Sequence, residues 1–171
     1  MDLIVITRLE SLNNEIKIIK ELFDHGLKIL LLRKNNLNVF EDFESKYLDR
    51  ITLYNPNHTF HSFAEVENFD KKIKFGFLSP IFDSISKPGY NSNFTEEELK
   101  TFFKKRNKAK DHNVKKLYAL GGIRPNLTKK SKEIGFDGVG VVGGIWNTPN
   151  PLKAFLEYKS ICSELETGVL V

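Results

Sequence analysis

Cysteine is almost absent from this 171-residue chain, with Cys162 the only one. A lone thiol forms no internal disulfide and no cysteine metal cluster, which argues for a reducing compartment. It is expected to pack on the last helix. Long apolar runs are also missing: none reaches the roughly 18 residues that a membrane span needs. The segment Met1–Thr7 goes straight into a strand-like run, without the basic start, apolar stretch and cleavage site of a secretory signal, so a cytoplasmic location is expected. The histidines His25, His58 and His112 lack metal-ligand spacing, and no metal site is expected from them. Charge of one sign is not concentrated either. The net charge is +4 and the pI about 9.0, but lysines are scattered and alternate with Asp and Glu, as between Glu96 and Lys110. That pattern argues against a nucleic-acid partner, while a modest positive bias suits a phosphorylated small molecule.

What remains is an ordinary soluble composition, 40% hydrophobic, in a chain long enough for one real core. A single domain over residues 1–171 is expected. Strand-like and helix-like runs alternate almost from end to end, the pattern of βα units and a parallel sheet. Strands are expected at Leu3–Thr7, Lys28–Lys34, Arg50–Asn55, Thr59–His61, Ile73–Leu78, Lys116–Leu120 and Gly138–Val142. Lys28–Lys34 is a continuous apolar run of the kind buried on both faces of a parallel sheet. Between the strands, Ile16, Ile19, Leu22 and Phe23 form an apolar stripe at helical spacing that stops at Gly26. Ser62 with Glu65 and Thr95 with Glu98 read as helix-capping pairs, and Pro125 and Gly135 as the two ends of another helix. The acidic run Glu96–Glu98 reads as a negative first turn.

The fold class is therefore α/β, a TIM-type (β/α) barrel, closed or nearly closed. It contains about seven strands, one βα unit short of eight, and its length is below the roughly 250 residues typical of that fold. The connection from Asn55 to Thr59 is too short for a helical crossover, which needs about a dozen residues. Either two consecutive strands meet there in an unusual way or a βα unit has been lost. An open seam would leave unpaired strand edges and favour a homodimer.

Chemistry in such a fold gathers where strands end. Phe75–Leu78 runs into a loop with Ser84, Ser86 and Lys87, hydroxyl donors and a point charge suited to an anion. Arg33 and Lys34 stand at another strand mouth, as a polar clamp or as snorkelling side chains. The strand ends at Gly121-Gly122 and Gly143-Gly144 either make tight turns or bring backbone N–H groups to a phosphate. Their pairing at the last two strand ends favours the phosphate. His61 is a candidate general acid or base, because its ordinary pKa lies near working pH.

Five motifs in order resemble the thiamine phosphate synthase/TenI family. They are Leu32-Arg33-Lys34, Thr59-x-His61-Ser62, Leu78-Ser79-Pro80-Ile81-Phe82 through Ser84-x-Ser86-Lys87-Pro88, Ala119-Leu120-Gly121-Gly122-Ile123, and Gly135 through Ile145. The resemblance implies a barrel that holds thiazole phosphate over the last two glycine-rich strand ends. It implies that Arg33 and Lys34 face a pyrimidine or its diphosphate, that Thr59 is a pyrophosphate-contacting hydroxyl, and that Ser84 and Ser86 stand where threonines are common, beside Lys87. His61 and Lys87 are then the catalytic candidates. The synthase of this family uses magnesium held by an aspartate after the third strand and an acidic residue after the fourth. Here Asn55-Pro56-Asn57 replaces the first, and the second falls in the missing unit. Loss of the metal would remove charge stabilisation worth several kcal/mol. A TenI-like thiazole tautomerase, with His61 as acid/base and no required cofactor, is accordingly favoured. The alternatives are a magnesium-dependent thiamine phosphate synthase, with Asp83 as a substitute carboxylate, and a non-catalytic thiazole-phosphate-binding barrel.

Overall fold

Apolar residues alternate between two destinations along the strands, and this alternation builds the molecule. The computed structural model describes residues 1–10, 14–33, 43–83, 92–109 and 111–167. Its strands are β1 (Asp2–Ile6), β2 (Ile29–Leu32), β3 (Ile51–Leu53), β4 (Thr59–Phe60), β5 (Ile73–Leu78), β6 (Val114–Leu120) and β7 (Gly138–Val141). The helices are α1 (Glu15–Asp24), α2 (Ser45–Leu48), α3 (Phe63–Glu67), α4 (Glu96–Arg106), α5 (Pro125–Ile134), α6 (Gly143–Trp146) and α7 (Pro151–Thr167). All strand pairs are parallel, in the order β3-β2-β1-β7-β6-β5-β4. The sheet curls, so that β1 pairs with β7 and the order is that of a barrel opened between β3 and β4.

Successive strand residues face opposite sides. Val5, Leu30, Leu32, Leu78, Leu117, Ala119, Val139 and Val141 join the core under the helices, whereas Ile4, Ile6, Leu31, Phe77 and Tyr118 form a separate inner cluster. Rings fill that interior: Tyr118 stacks on Phe75 at 5.3 Å between centroids and lies 5.9 Å from Phe77. Gly140 makes room for them, because a Cβ there would come 2.7 Å from the Phe77 ring and 3.3 Å from Ile6. The outer core is closed by helices whose buried side chains include Ile19, Leu22 and Phe23 of α1 and Phe155, Tyr158 and Cys162 of α7. Each such fully buried side chain contributes roughly 1.5–3 kcal/mol. Cys162 is buried on α7 as expected, and burial pushes its thiol up to about 11.

The N-terminal mouth of the barrel is plugged by polar groups. Asp2 accepts hydrogen bonds from the Tyr118 hydroxyl at 2.7 Å and from Lys116 at 2.8 Å. Burial alone would raise the Asp2 pKa, but the hydrogen bonds from Lys116 and Tyr118 and the Lys116 charge outweigh it and hold the carboxyl below its ordinary value. Burial, then the bond to Asp2, pushes the Tyr118 phenol upward, so it remains a neutral donor.

Several expected features stand where the sequence put them. Thr95 and Glu98 form a reciprocal capping box, and Gly26 and Gly135 end α1 and α5 at positive φ. Three features differ. Most strands are shorter than expected at their ends, while β6 starts earlier, at Val114. The turn after Asn55 is a 3-10 helix, Pro56–His58, capped by the Asn55 side chain, which accepts from the Asn57 amide. Helix α6, absent from the expectation, occupies the segment after β7.

The short connection leaves a seam. Among the described residues no ladder joins β3 to β4, and β4 pairs only Thr59 with Phe77 and Phe60 with Leu78. The first half of β5 therefore lines the opening, and a cavity of about 340 Å³ lies there among Leu31, Thr52, Tyr54, His58, Phe75 and Phe77. Among the described residues no helix is long and apolar enough to cross a membrane.

Two outcomes follow from this packing. Gly140→Ala should destabilise the fold by about 1–3 kcal/mol in denaturant unfolding, because the interior is overpacked by one methyl. Asp2, with its folded pKa below the ordinary 3.8, stabilises the fold above that pH and loses its contribution as pH falls through the lowered value. The stability gap between the wild type and Asp2→Asn should therefore be widest above about pH 5 and narrow on acidification. A gap that is constant with pH would disprove the coupling.

Candidate functional site at the C-terminal mouth

The exits of β1, β2, β3 and β4 converge on a chain of polar contacts. Thr7, just past β1, is fully buried, and its hydroxyl accepts a 3.0 Å hydrogen bond from the Arg33 backbone N–H at the end of β2. The Arg33 guanidinium lies 5.4 Å from the centroid of the Tyr54 ring, within cation–π range. The Tyr54 hydroxyl in turn is hydrogen-bonded to Thr59 Oγ1 at 2.5 Å. Arg33 and Thr59, both expected at the site, are thus linked through a residue that the motifs did not indicate. Tyr54 sits directly after β3, with an apolar body and a polar tip, and its only signal in the sequence was its place near the end of the expected strand Arg50–Asn55.

His61 lies just after β4 and is exposed. Its Nδ1 is 2.9 Å from the backbone carbonyl oxygen of Ser79, and its backbone N–H donates to Glu65 at 2.8 Å. A carbonyl only accepts, so Nδ1 carries the proton, and in the neutral form of the ring the lone pair is on Nε2. The segment that holds this carbonyl is itself fixed, because the Ser79 N–H donates to Phe60 O at 2.9 Å. Glu65 belongs to the first turn of α3, whose Ser62 cap accepts from the Glu65 N–H. The capping sequence therefore also sets the histidine.

The exits of β5 and β6 touch closely. Ile81 and Phe82 donate to the carbonyls of Leu120 and Gly121 at 3.0 and 3.2 Å. Gly121 and Gly122 have φ of 90° and 65°, and a Cβ at Gly122 would overlap the Phe82 carbonyl. Close approach of the two loops thus requires glycine here before any ligand is considered. At the β7 exit, Gly143 and Gly144 open α6, and their N–H groups have no acceptor within that helix. A Cβ at Gly144 would overlap the hydroxyl of Tyr158, which is buried and donates to Ile123 O at 2.9 Å. Helix α6 is pinned to β1 by Trp146, whose indole N–H donates to Ile6 O at 2.8 Å.

Lys34, Ser84, Ser86 and Lys87 lie outside the described residues. The loop that carries the last three is described only at its base, where Asp83 accepts from the Ser92 N–H at 2.7 Å. Among the described residues no three His, Cys, Asp or Glu side chains cluster, and the Asn55 side-chain oxygen is engaged by Asn57. Gly122→Ala should cost about 1–3 kcal/mol in unfolding, since it meets both a positive φ and a backbone carbonyl. A neutral result in a denaturant titration would contradict the tight approach of the β5 and β6 exits.

No family model and no curated protein matches the chain. Solved structures do. Thiamine phosphate pyrophosphorylase from Bacteroides thetaiotaomicron is 25% identical, with a TM-score of 0.73 and full coverage of both chains. Thiamine phosphate pyrophosphorylase from Pyrococcus furiosus is 17% identical, with a TM-score of 0.57 over 95% of this chain and 96% of the other. A native KDPGal structure shares the architecture at 10% identity, with a TM-score of 0.62 over 98% of this chain and 97% of the other. The curled parallel sheet, the order of its strand exits and these neighbours together identify the chain as having a thiamine phosphate synthase/TenI-type fold.

Proposed function

We propose that this protein binds thiazole phosphate at the C-terminal mouth and acts in thiamine biosynthesis as a TenI-like thiazole tautomerase, with His61 as the acid/base. The observation that carries the choice is the His61 contact with Ser79 O, which leaves Nε2 as a proton acceptor beside the β5 exit. Tautomerisation moves one proton within the substrate and releases nothing. An imidazole that takes the proton at Nε2 and returns it elsewhere on the same molecule meets that need without a metal.

In this reading the amides at Gly121-Gly122 and Gly143-Gly144 receive the phosphate, favoured by the start of α6. Arg33 and Thr59, with Lys34, Ser84, Ser86 and Lys87, supply donors and positive charge to the remaining anionic groups of the ligand. Lys87 would stabilise charge that develops during proton transfer. Magnesium is not required.

The names of the two pyrophosphorylase neighbours favour a second reading, a thiamine phosphate synthase. It would join thiazole phosphate to hydroxymethylpyrimidine diphosphate: the thiazole nitrogen bonds the pyrimidine carbon as the bond to pyrophosphate breaks. That reading needs magnesium, with Asp83 as a substitute for the missing carboxylates.

The test is turnover by the purified protein, given thiazole carboxylate phosphate alone and then thiazole phosphate with pyrimidine diphosphate and magnesium. Aromatisation alone is expected, and His61→Ala should slow it by about 10²–10⁴. Formation of thiamine phosphate would establish the synthase instead, and ligand binding without either product would establish a non-catalytic barrel.

A further inference from the structure

We propose that Tyr54 is a positioning residue that replaces the missing β3–β4 ladder and fixes Arg33 and Thr59 relative to each other for an anionic ligand. The inference rests on the reading of Arg33 and Thr59 as anion contacts, and it holds whether the reaction is tautomerisation or synthesis.

In a parallel barrel, the distance between side chains at neighbouring strand exits is set by the backbone ladder. That holds from β3 round to β4 through β1 and β7, but not across the seam, where among the described residues no ladder exists. Arg33 follows β2, on one side of the seam, and Thr59 belongs to β4, on the other. Ladder bonds connect them only the long way round the sheet. Tyr54 provides a short route. Its backbone N–H donates to Leu32 O at 2.7 Å, which extends the β2–β3 ladder by one residue and fixes its Cα. Leu31 pairs with Thr52, and Leu31 belongs to the inner cluster, so the alternation points Thr52 and Tyr54 inward. The ring then lies 6.4 Å from that of Phe77, carries the Arg33 guanidinium at 5.4 Å, and reaches Thr59 with its hydroxyl.

The chemistry of the three groups is one-sided. Guanidinium offers only donors, and two hydroxyls that share one hydrogen bond leave one O–H free to donate outward. Such a set suits phosphate or carboxylate oxygens. A ligand that used Arg33 and Thr59 together would benefit from their being held in advance, since freedom lost on binding opposes affinity. The sequence places Tyr54 where the resemblance leads one to expect a metal-binding aspartate nearby, and Asn55 is turned to capping. The phenol therefore contributes order at a place where no carboxylate is available.

Inorganic pyrophosphate is a suitable probe, because it offers oxygens to Arg33 and Thr59 under either reaction. Its affinity for the full chain would be measured by calorimetry for the wild type, Arg33→Ala, Thr59→Ala, Tyr54→Phe, Tyr54→Leu and the doubles Tyr54→Phe/Thr59→Ala and Tyr54→Leu/Arg33→Ala. Thermal melts would confirm that each variant is folded, and Tyr54→Phe keeps the ring should Tyr54→Leu fail to fold. Tyr54→Phe should weaken binding by about threefold to tenfold, the effect of one hydrogen bond, and Tyr54→Leu by more, because the support for Arg33 is lost as well. Each double should be no weaker than its Arg33→Ala or Thr59→Ala parent, since Tyr54 acts through those residues. Wild-type affinity in both Tyr54 variants, or strictly additive doubles, would overturn the positioning role while leaving the anion site intact. Absence of pyrophosphate binding by the wild type, or wild-type affinity in both Arg33→Ala and Thr59→Ala, would instead remove the anion-contact reading and this inference with it.

Discussion

The missing ladder between β3 and β4 is the constraint to which the rest of the structure responds. A parallel strand pair needs a crossover long enough to carry the chain back to the starting end. The 3-10 turn Pro56–His58 is too short to do so, and β3 and β4 are left as the two edges of one sheet. The curl of the sheet instead depends on β1 pairing with β7 and on what fills the interior. Large rings at Phe75, Phe77 and Tyr118, with glycine at 138 and 140 opposite them, let a seven-stranded sheet curl around a solid inner cluster. Side chains cross the seam where the backbone does not.

The two mouths of the barrel differ in a way that follows from their chemistry. At the N-terminal mouth, Asp2, Lys116, Tyr118 and Asp137 satisfy one another and the neighbouring amides, including the 2.8 Å bond from the Leu117 N–H to Asp137. At the C-terminal mouth the polar groups are arranged the other way, as Arg33, an O–H of the Tyr54–Thr59 pair, Nε2 of His61 and the first amides of α6 keep donors or acceptors unspent among the described residues. Parallel strands create this asymmetry because all of them deliver their following loops to the same end.

The glycine pairs proposed for the phosphate are already required by the fold. Gly121 and Gly122 are required by the approach of Pro80 and Phe82, and Gly144 by Tyr158. These contacts account for the glycines without any ligand. The same contacts bring the β5, β6 and β7 exits close together, which is the geometry that a phosphate bridging them would use. His61 repeats the lesson, because the Ser62–Glu65 cap that starts α3 also engages its backbone.

The sequence by itself determined the βα alternation, the position of β5, the capping box at Thr95 and Glu98, the glycine ends of α1 and α5, and the shortness of the link after Asn55. These depend on hydrophobic period, on φ preference and on hydrogen bonds between residues only a few positions apart, all of which are local. The motif order also carried the fold type that the solved structures share. Tertiary structure decided the rest. That β3 and β4 become edges, that Tyr54 spans Arg33 and Thr59, that Ser79 O selects the His61 tautomer, and that α6 is held through Trp146 all depend on relations between residues far apart in the chain, such as 18 positions for His61 and Ser79 and 140 for Ile6 and Trp146. No local pattern encodes such distances, because they arise only once the sheet has curled and its strand exits meet.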